Sequence, residues 1–253
     1  MREIIIDNNL LNDYEDANLL INDRKITFKK NGDYTLEYKN SDFISLDIEV
    51  LDGVMVKLFI WSCDNNLTVN NHYSLGKNSN LLLFQFYHNK SVCEQMVVDL
   101  NGEFSKFSQG FSSISMGNEE YDIIVNHNHH HVESYLSNKC IGLDGSKIKI
   151  QIDSVLDKGN HDCVMDQVSR ILTLGDVEAE IIPNMFTHED SVEAKHGSVI
   201  GSFRDEELFY LMSRGITENE AITLLIKGFI FSNLIVDMEK RARIFQIIQD
   251  LRR

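Results

Sequence analysis

The chain has one proline, few cysteines, no excess of positive charge and no long uninterrupted apolar run. With Pro183 the single proline among 253 residues, its turns depend on 14 glycines and many Asn and Asp residues to reach left-handed backbone conformations. Cys63, Cys93, Cys140 and Cys163 lie far apart and form no Cys-x-x-Cys, which excludes a disulfide framework and points to reduced intracellular thiols. Against 24 Lys+Arg stand 39 Asp+Glu, a formal charge of -15, and no basic stripe offsets it, so nucleic acid is excluded as a partner. The longest apolar stretch, Ala221 to Val236, is interrupted by Lys227, Gly228, Ser232 and Asn233. It falls short of the roughly 20 residues that span a bilayer and is expected to be a buried helix. The opening residues, MREIIIDNNLLNDYED, turn polar at Asp7, too soon for a secretory leader, and a cytoplasmic protein is expected.

Catalytic signatures are missing as well. There is no GxSxG, no GxxxxGK[ST] and no GxGxxG following a strand, so hydrolase, phosphate-loop and dinucleotide-binding readings have no support. What is present is globular composition, 43% apolar and 9% aromatic, with the charge unevenly distributed. Residues 201–253 carry eight basic and eight acidic residues; residues 1–200 hold 16 basic against 31 acidic and contain the whole excess. Two parts are expected on this ground, residues 1–200 and residues 201–253.

The first part is dense in strand signals: KITF, DYTLEY, SLDIEVL, VMVKLFIW, LLLFQFY, QMVVDL, YDIIV, KIKIQI, SRILTL and AEII, separated by Asn-, Asp- and Gly-rich turns. Residues 10–21 also fit a short amphipathic helix. So many short strands suit a sandwich, a barrel or a solenoid, and no clean repeat selects among them. From Asp205 the period changes. DEELFYLMSRG has helical spacing and a glycine stop at Gly215; Thr217 with Glu220 forms a capping box for a second helix; MEKRARIFQIIQDL closes the chain with Ile244, Phe245, Ile248 and Leu251 on one face and Lys240, Arg241 and Arg243 mostly on the other.

Two local clusters carry ligand chemistry. In NHNHHHVE a strand would place His127, His129 and His131 on one face, and the spacing of His127, His129 and Glu133 is that of the first metal motif of cupins, which suggests a metal-dependent enzyme. The preceding glycine of that motif is replaced by Tyr121, and the second motif is absent. The plainer reading is a polar strand face. Cys163, with His161 and Asp162 beside it, is either a soft metal ligand or a small buried residue.

From Gln167 to the end of the second helix the chain resembles the SufB/SufD family of iron-sulfur cluster assembly proteins. QVSRILTLGD, the isolated Pro183, DSVEAKHGSVIG and DEELFYLMSRGITENEAI carry the resemblance in order over about 60 residues, with a weaker echo in VNHNHHHVESYLSNKCIGL that places the histidines in an ordinary coil of the strand core. The resemblance implies a mainly β fold, a right-handed parallel β-helix followed by a small helical subdomain that docks a SufC-like ABC ATPase. It implies a non-enzymatic scaffold that holds at most a transient iron-sulfur cluster, with no tightly bound organic cofactor, and that forms a homodimer or a heterodimer with a SufB/SufD paralogue.

Carried over by position, His196 stands where SufD-like members have a histidine proposed to face the dimer interface, and Cys163 is the second cluster or metal candidate. Gly197 is the SufD-like residue where SufB-like members have Glu, and residues 177–182, VEAEII, lack the SufB-like cysteine. The long N-terminal helical region of full-length members has no counterpart, so a short form is expected. ATPase docking falls on Phe209, Tyr210, Arg214, Gly215 and Ile216, with Phe209 weighted toward packing the tail and Arg214 toward contact. A homodimeric solenoid module without a cluster is the further alternative.

Overall fold

The computed structural model describes residues 2–251. It is a parallel β-solenoid of about six turns with three helices at its C-terminal end. One sheet runs in the order β1 (Arg2–Asp7), β5 (Gly32–Lys39), β7 (Met55–Cys63), β9 (Asn80–His88), β11 (Lys106–Ser115), β13 (Glu133–Leu143), β15 (Cys163–Leu174) and β17 (Val192–Gly201). The facing sheet runs β16 (Glu178–Thr187), β14 (Lys147–Leu156), β12 (Asn118–His127), β10 (Ser91–Leu100), β8 (Asn66–Leu75), β6 (Phe43–Val50), β4 (Lys25–Phe28), β3 (Leu19–Asn22) and β2 (Tyr14–Glu15). All neighbours pair parallel except β2, β3 and β4, which form an antiparallel end.

Register explains why no repeat is visible in the sequence. Gly32 pairs with Val56, 24 residues on, Lys106 with Glu133, 27 on, and Glu133 with Val164, 31 on. Coils of unequal length have no fixed period. The corners bear out the reliance on small polar residues: Gly53, Asn78, Phe104, His131 and Asp162 succeed one another at one corner, each with left-handed φ between 53° and 70°. Asn and Asp tolerate that region; Phe104 and His131 do so at some cost. Residues 10–21, where a short helix was an option, instead enter β2 and β3. Leu19 and Ile21 there alternate into the core, a period-2 pattern that wins over the helical one. Pro183 sits in β16, an edge strand, where a missing N–H costs least.

The solenoid interior is one apolar cluster built from alternate residues of both sheets. A second cluster lies on the outer face of the first sheet, where Phe59, Trp61, Phe86, Ile114, Ile141 and Leu172 form a stripe across successive strands. Helices α2 (Glu218–Phe231) and α3 (Met238–Asp250) cover it with Ile226, Phe229, Ile230, Ile244 and Ile248. The connection between them is anchored by Asn233, whose Nδ2 donates to the carbonyls of Phe111 (2.6 Å) and Ser137 (2.7 Å). Gly110 is required beneath it, since a Cβ there would meet the Asn233 carbonyl oxygen at 2.2 Å. Lys240 departs from the expected solvent face. It is buried and donates to Glu37 at 2.7 Å and Glu3 at 3.4 Å, tying α3 back to β5 and β1.

The helix signals hold: α1 (Asp205–Ser213) stops at Gly215 with φ +85°, the Thr217–Glu220 capping box forms, and Asp237 caps α3. Among the described residues no helix is long and apolar enough to cross a membrane.

Candidate functional site

The C-terminal end of the solenoid is where the expected site residues gather. β16 and β17 are the terminal strands of their sheets, ten residues each, paired on one side only. His196 pairs in register with Gln167 of β15, and Gln167 is buried with its Nε2 donating to Ser154 Oγ at 2.7 Å and to the Asn184 carbonyl at 3.1 Å. Register partners in adjacent strands share a face, so His196 lies on the core side of β17. It is nevertheless exposed, because no further coil covers it. Val199 (55% exposed), Ile200 (46%) and Phe186 (49%) are bare in the same end coil. This solenoid end leaves open strand edges and exposed apolar side chains.

The core behind this end is polar. Along one inward column the residues are Tyr34, Leu58, Leu83, Gln109, Leu136, Gln167 and His196; along the next, Leu36, Ile60, Gln85, Phe111, Asn138, Ser169 and Ser198. Gln109 Nε2 donates to Gln85 Oε1 (2.7 Å), Gln85 Nε2 to Glu94 (2.9 Å), and Asn138 Nδ2 to Ser169 (3.2 Å). The side-chain oxygens of Gln109, Asn138 and Gln167 and one of the two carboxyl oxygens of Glu119 have no partner. Each such group costs about 1–3 kcal/mol.

Two buried carboxyls in this interior were not anticipated from the sequence. Burial pushes both Glu94 and Glu119 up to about 7, against hydrogen bonds from Gln85 and Tyr87 in the first case and Ser113 and Tyr121 in the second. Their signal was phase: Glu94 alternates with Val92, Met96, Val98 and Leu100, and Glu119 with Tyr121, Ile123 and Val125.

The same phase governs His127, which is buried with Nδ1 against the Val155 carbonyl (3.1 Å) and Nε2 against Ser134 Oγ (2.9 Å). Desolvation holds it down at about 4, so it is a neutral core histidine. β12 ends at His127, while His129 and His131 follow in the corner and Glu133 begins β13, paired with Lys106. The cupin-like set therefore does not converge, and parallel coils are not a cupin's antiparallel jelly roll. Cys163 is buried below the same corner, 3.4 Å from the His129 carbonyl and 3.5 Å from that of His161, with burial raising its thiol pKa. The structure does not bring it together with His196, which lies in the fourth register pair beyond the Cys163–Val192 pair.

Helix α1 buries none of its residues. Phe209 is 74% exposed, Tyr210 58% and Met212 45%, with the Arg214 guanidinium 5.3 Å from the Tyr210 ring. The weighting of Phe209 toward the core is thus reversed: α1 contributes only Leu208 to the packing on the sheet, and Phe209 points away. Gly215 and Ile216 line a shallow groove of about 530 Å³ with Asn219, Thr223, Leu224 and Lys227.

A family model described as SUF system FeS cluster assembly, SufBD core domain, matches residues 54–229, more than half of the chain. The chain belongs to the SufBD family. Curated relatives agree: iron-sulfur cluster assembly SufBD family proteins of Pyrococcus horikoshii (33% identity over 98 residues, 37% of this chain), Mycobacterium leprae (42% over 85 residues, 32%) and Methanocaldococcus jannaschii (29% over 111 residues, 42%). The matched stretches span 21%, 21% and 33% of those relatives' own lengths. Membership links this SufBD chain to iron-sulfur cluster assembly, and the parallel β-solenoid implied by the resemblance is the fold observed.

Proposed function

We propose that this SufBD chain is a non-catalytic, SufD-like scaffold subunit of a cytoplasmic SUF-type assembly complex. Its terminal strands β16 and β17 pair with a second SufBD chain, a copy of itself or a paralogue, and a nascent cluster is accommodated transiently where His196 meets that partner. Residues 201–253 serve as the docking part for a SufC-like ABC ATPase through Phe209, Tyr210, Arg214, Gly215 and Ile216. Cys163 is the second candidate ligand, buried behind this end against the His129 and His161 carbonyls.

The observation that carries this reading is the uncovered C-terminal end. A solenoid whose last coil ended in solvent would leave two ten-residue strand edges and several apolar side chains unpaired. The test is purification of the tagged chain from its own cells. An ABC-type ATPase and a second SufBD chain co-purify; Phe209→Asp and Arg214→Glu remove the ATPase, and Val199→Asp removes the second chain. Absence of both partners from the wild-type preparation overturns the proposal.

A further inference from the structure

The histidines that fail to form a cupin-like site form a different cluster, made by stacking of coils. At the corner before β13 the chain supplies His130 and His131; the coil before it supplies Glu103, and the coil after it His161 and Asp162. Ligand atoms of Glu103, His130 and His131 all lie within 4.8 Å of one another, and so do those of His131, His161 and Asp162. His131 belongs to both triads. Its ring stands nearly perpendicular to those of His130 (5.2 Å, 82°) and His161 (5.5 Å, 87°), while those two are parallel at 5.2 Å.

The backbone is set before any ligand arrives. His131 has left-handed φ 58°, and its N–H donates to the His161 carbonyl at 3.0 Å, so adjacent coils are locked at this point. Phe104, one coil back in the same column, stacks on the His131 ring at 5.1 Å and 9°. Asp162 accepts from Ser191 and from His161 Nδ1, the kind of carboxylate support that orients a ligating imidazole. The side chains themselves are free to adjust: His130 retains 37% exposure, His131 35% and His161 49%. Ligand atoms around a tetrahedral ion with bonds of about 2.0–2.1 Å are separated by about 3.3 Å, so either triad closes with small ring rotations, and joining the two on one ion takes a turn of one of the parallel, half-exposed rings of His130 and His161.

We infer that this corner is a binding site for a divalent first-row transition ion, with His131 as its central ligand, His130 and His161 flanking it, and Glu103 or Asp162 completing the set. Three imidazoles with a carboxylate suit zinc-like ions and are poor ligands for Mg²⁺ or Ca²⁺, which demand oxygen. The site lies on the surface of the solenoid at a corner that neither the terminal strands nor α1 forms, so it stands or falls separately from the scaffold proposal.

The test uses Zn²⁺ alone as the probe, titrated into the full chain without a His-tag and followed by calorimetry and equilibrium dialysis. The wild type takes up Zn²⁺ saturably in the presence of millimolar Mg²⁺. His131→Asn, which keeps a residue suited to the left-handed corner, and His161→Ala each weaken binding by at least about tenfold. Cys93→Ser, at an exposed position of β10, leaves it unchanged. Unaltered far-UV dichroism in the apo variants shows that the coils remain stacked, and Glu103→Gln gives an independent variant that leaves the corner backbone untouched. No saturable uptake by the wild type, or uptake that survives both histidine substitutions, overturns the site.

Discussion

The two ends of the solenoid solve the same problem in opposite ways. At the N-terminal end the edge of the second sheet is broken up, while the first sheet ends in the six-residue β1: β2 has two residues, β3 and β4 four each, they run antiparallel, and the ion pairs Arg2–Asp16 (2.6 Å) and Lys29–Glu15 (2.7 Å) stand on them. Short, charged, irregular edges discourage further pairing. At the C-terminal end both terminal strands are full length, in register with the stack and bare. The interior differs in the same direction, since the two inward columns open with Tyr34, Leu58 and Leu83 and with Leu36 and Ile60, turn mixed at Gln85 and Gln109, and finish in Gln167 and His196 and in Asn138, Ser169 and Ser198. The C-terminal end thus combines polar interior positions with an open surface.

The contrast is broken most severely by charge on the open edge. Val199→Asp buries a carboxylate at a paired edge and costs association several kcal/mol, so a second SufBD chain is lost on size-exclusion with light scattering, whereas Ile5→Asp on the exposed face of β1 leaves the assembly intact. Next comes the interior. Leu83→Gln, in the apolar stretch of its column, costs about 3 kcal/mol or more in urea unfolding, while Gln109→Met, one coil further on, costs about 1–2 kcal/mol: it removes a side-chain oxygen that already lacks a partner but takes the Nε2 donor away from Gln85 Oε1.

The buried carboxyls add a pH dependence of similar size. Glu94 rises from the ordinary value of 4.5 to about 7, so the native state holds its proton where the unfolded chain does not. Its contribution is fully present below pH 4.5 and is lost as pH climbs through 7, on the order of 3 kcal/mol between pH 5 and 8, and Glu94→Gln flattens that slope. His127 acts in reverse, contributing above pH 6.5 and losing stability as pH falls toward 4. The smallest effect is on α1: Phe209→Asp changes stability by no more than about 0.5 kcal/mol, as befits a residue left 74% exposed.

How much of this was legible follows from which faces are buried. Strands with one solvated face, such as KIKIQI in β14, showed clean alternation, and the helices announced themselves by caps and glycine stops. β11, KFSQGFSSIS, showed nothing, because it is buried on both faces: Gly110 on its outer side allows the close approach of the α2–α3 connection, while Ser113 faces inward and donates to Glu119. β8 and β17 were obscured by Asn, His and Lys. The His127 and Cys163 environments depend on which coil lies next in the stack, which coils of unequal length conceal. Phase alone would have located Glu94, Glu119 and His127 inside. The corner cluster joins residues from three coils and has no local signature, and the exposure of Phe209 emerges only once α2 and α3 are seen to cover the sheet by themselves.

The claim at the centre is that the open end and the exposed α1 face are each covered by a specific partner. Native mass measurement of the complex purified from its own cells tests it directly. The account predicts a particle containing two SufBD chains and an ABC ATPase that resolves into single SufBD chains on Val199→Asp; a monomeric wild-type chain without an ATPase would contradict it.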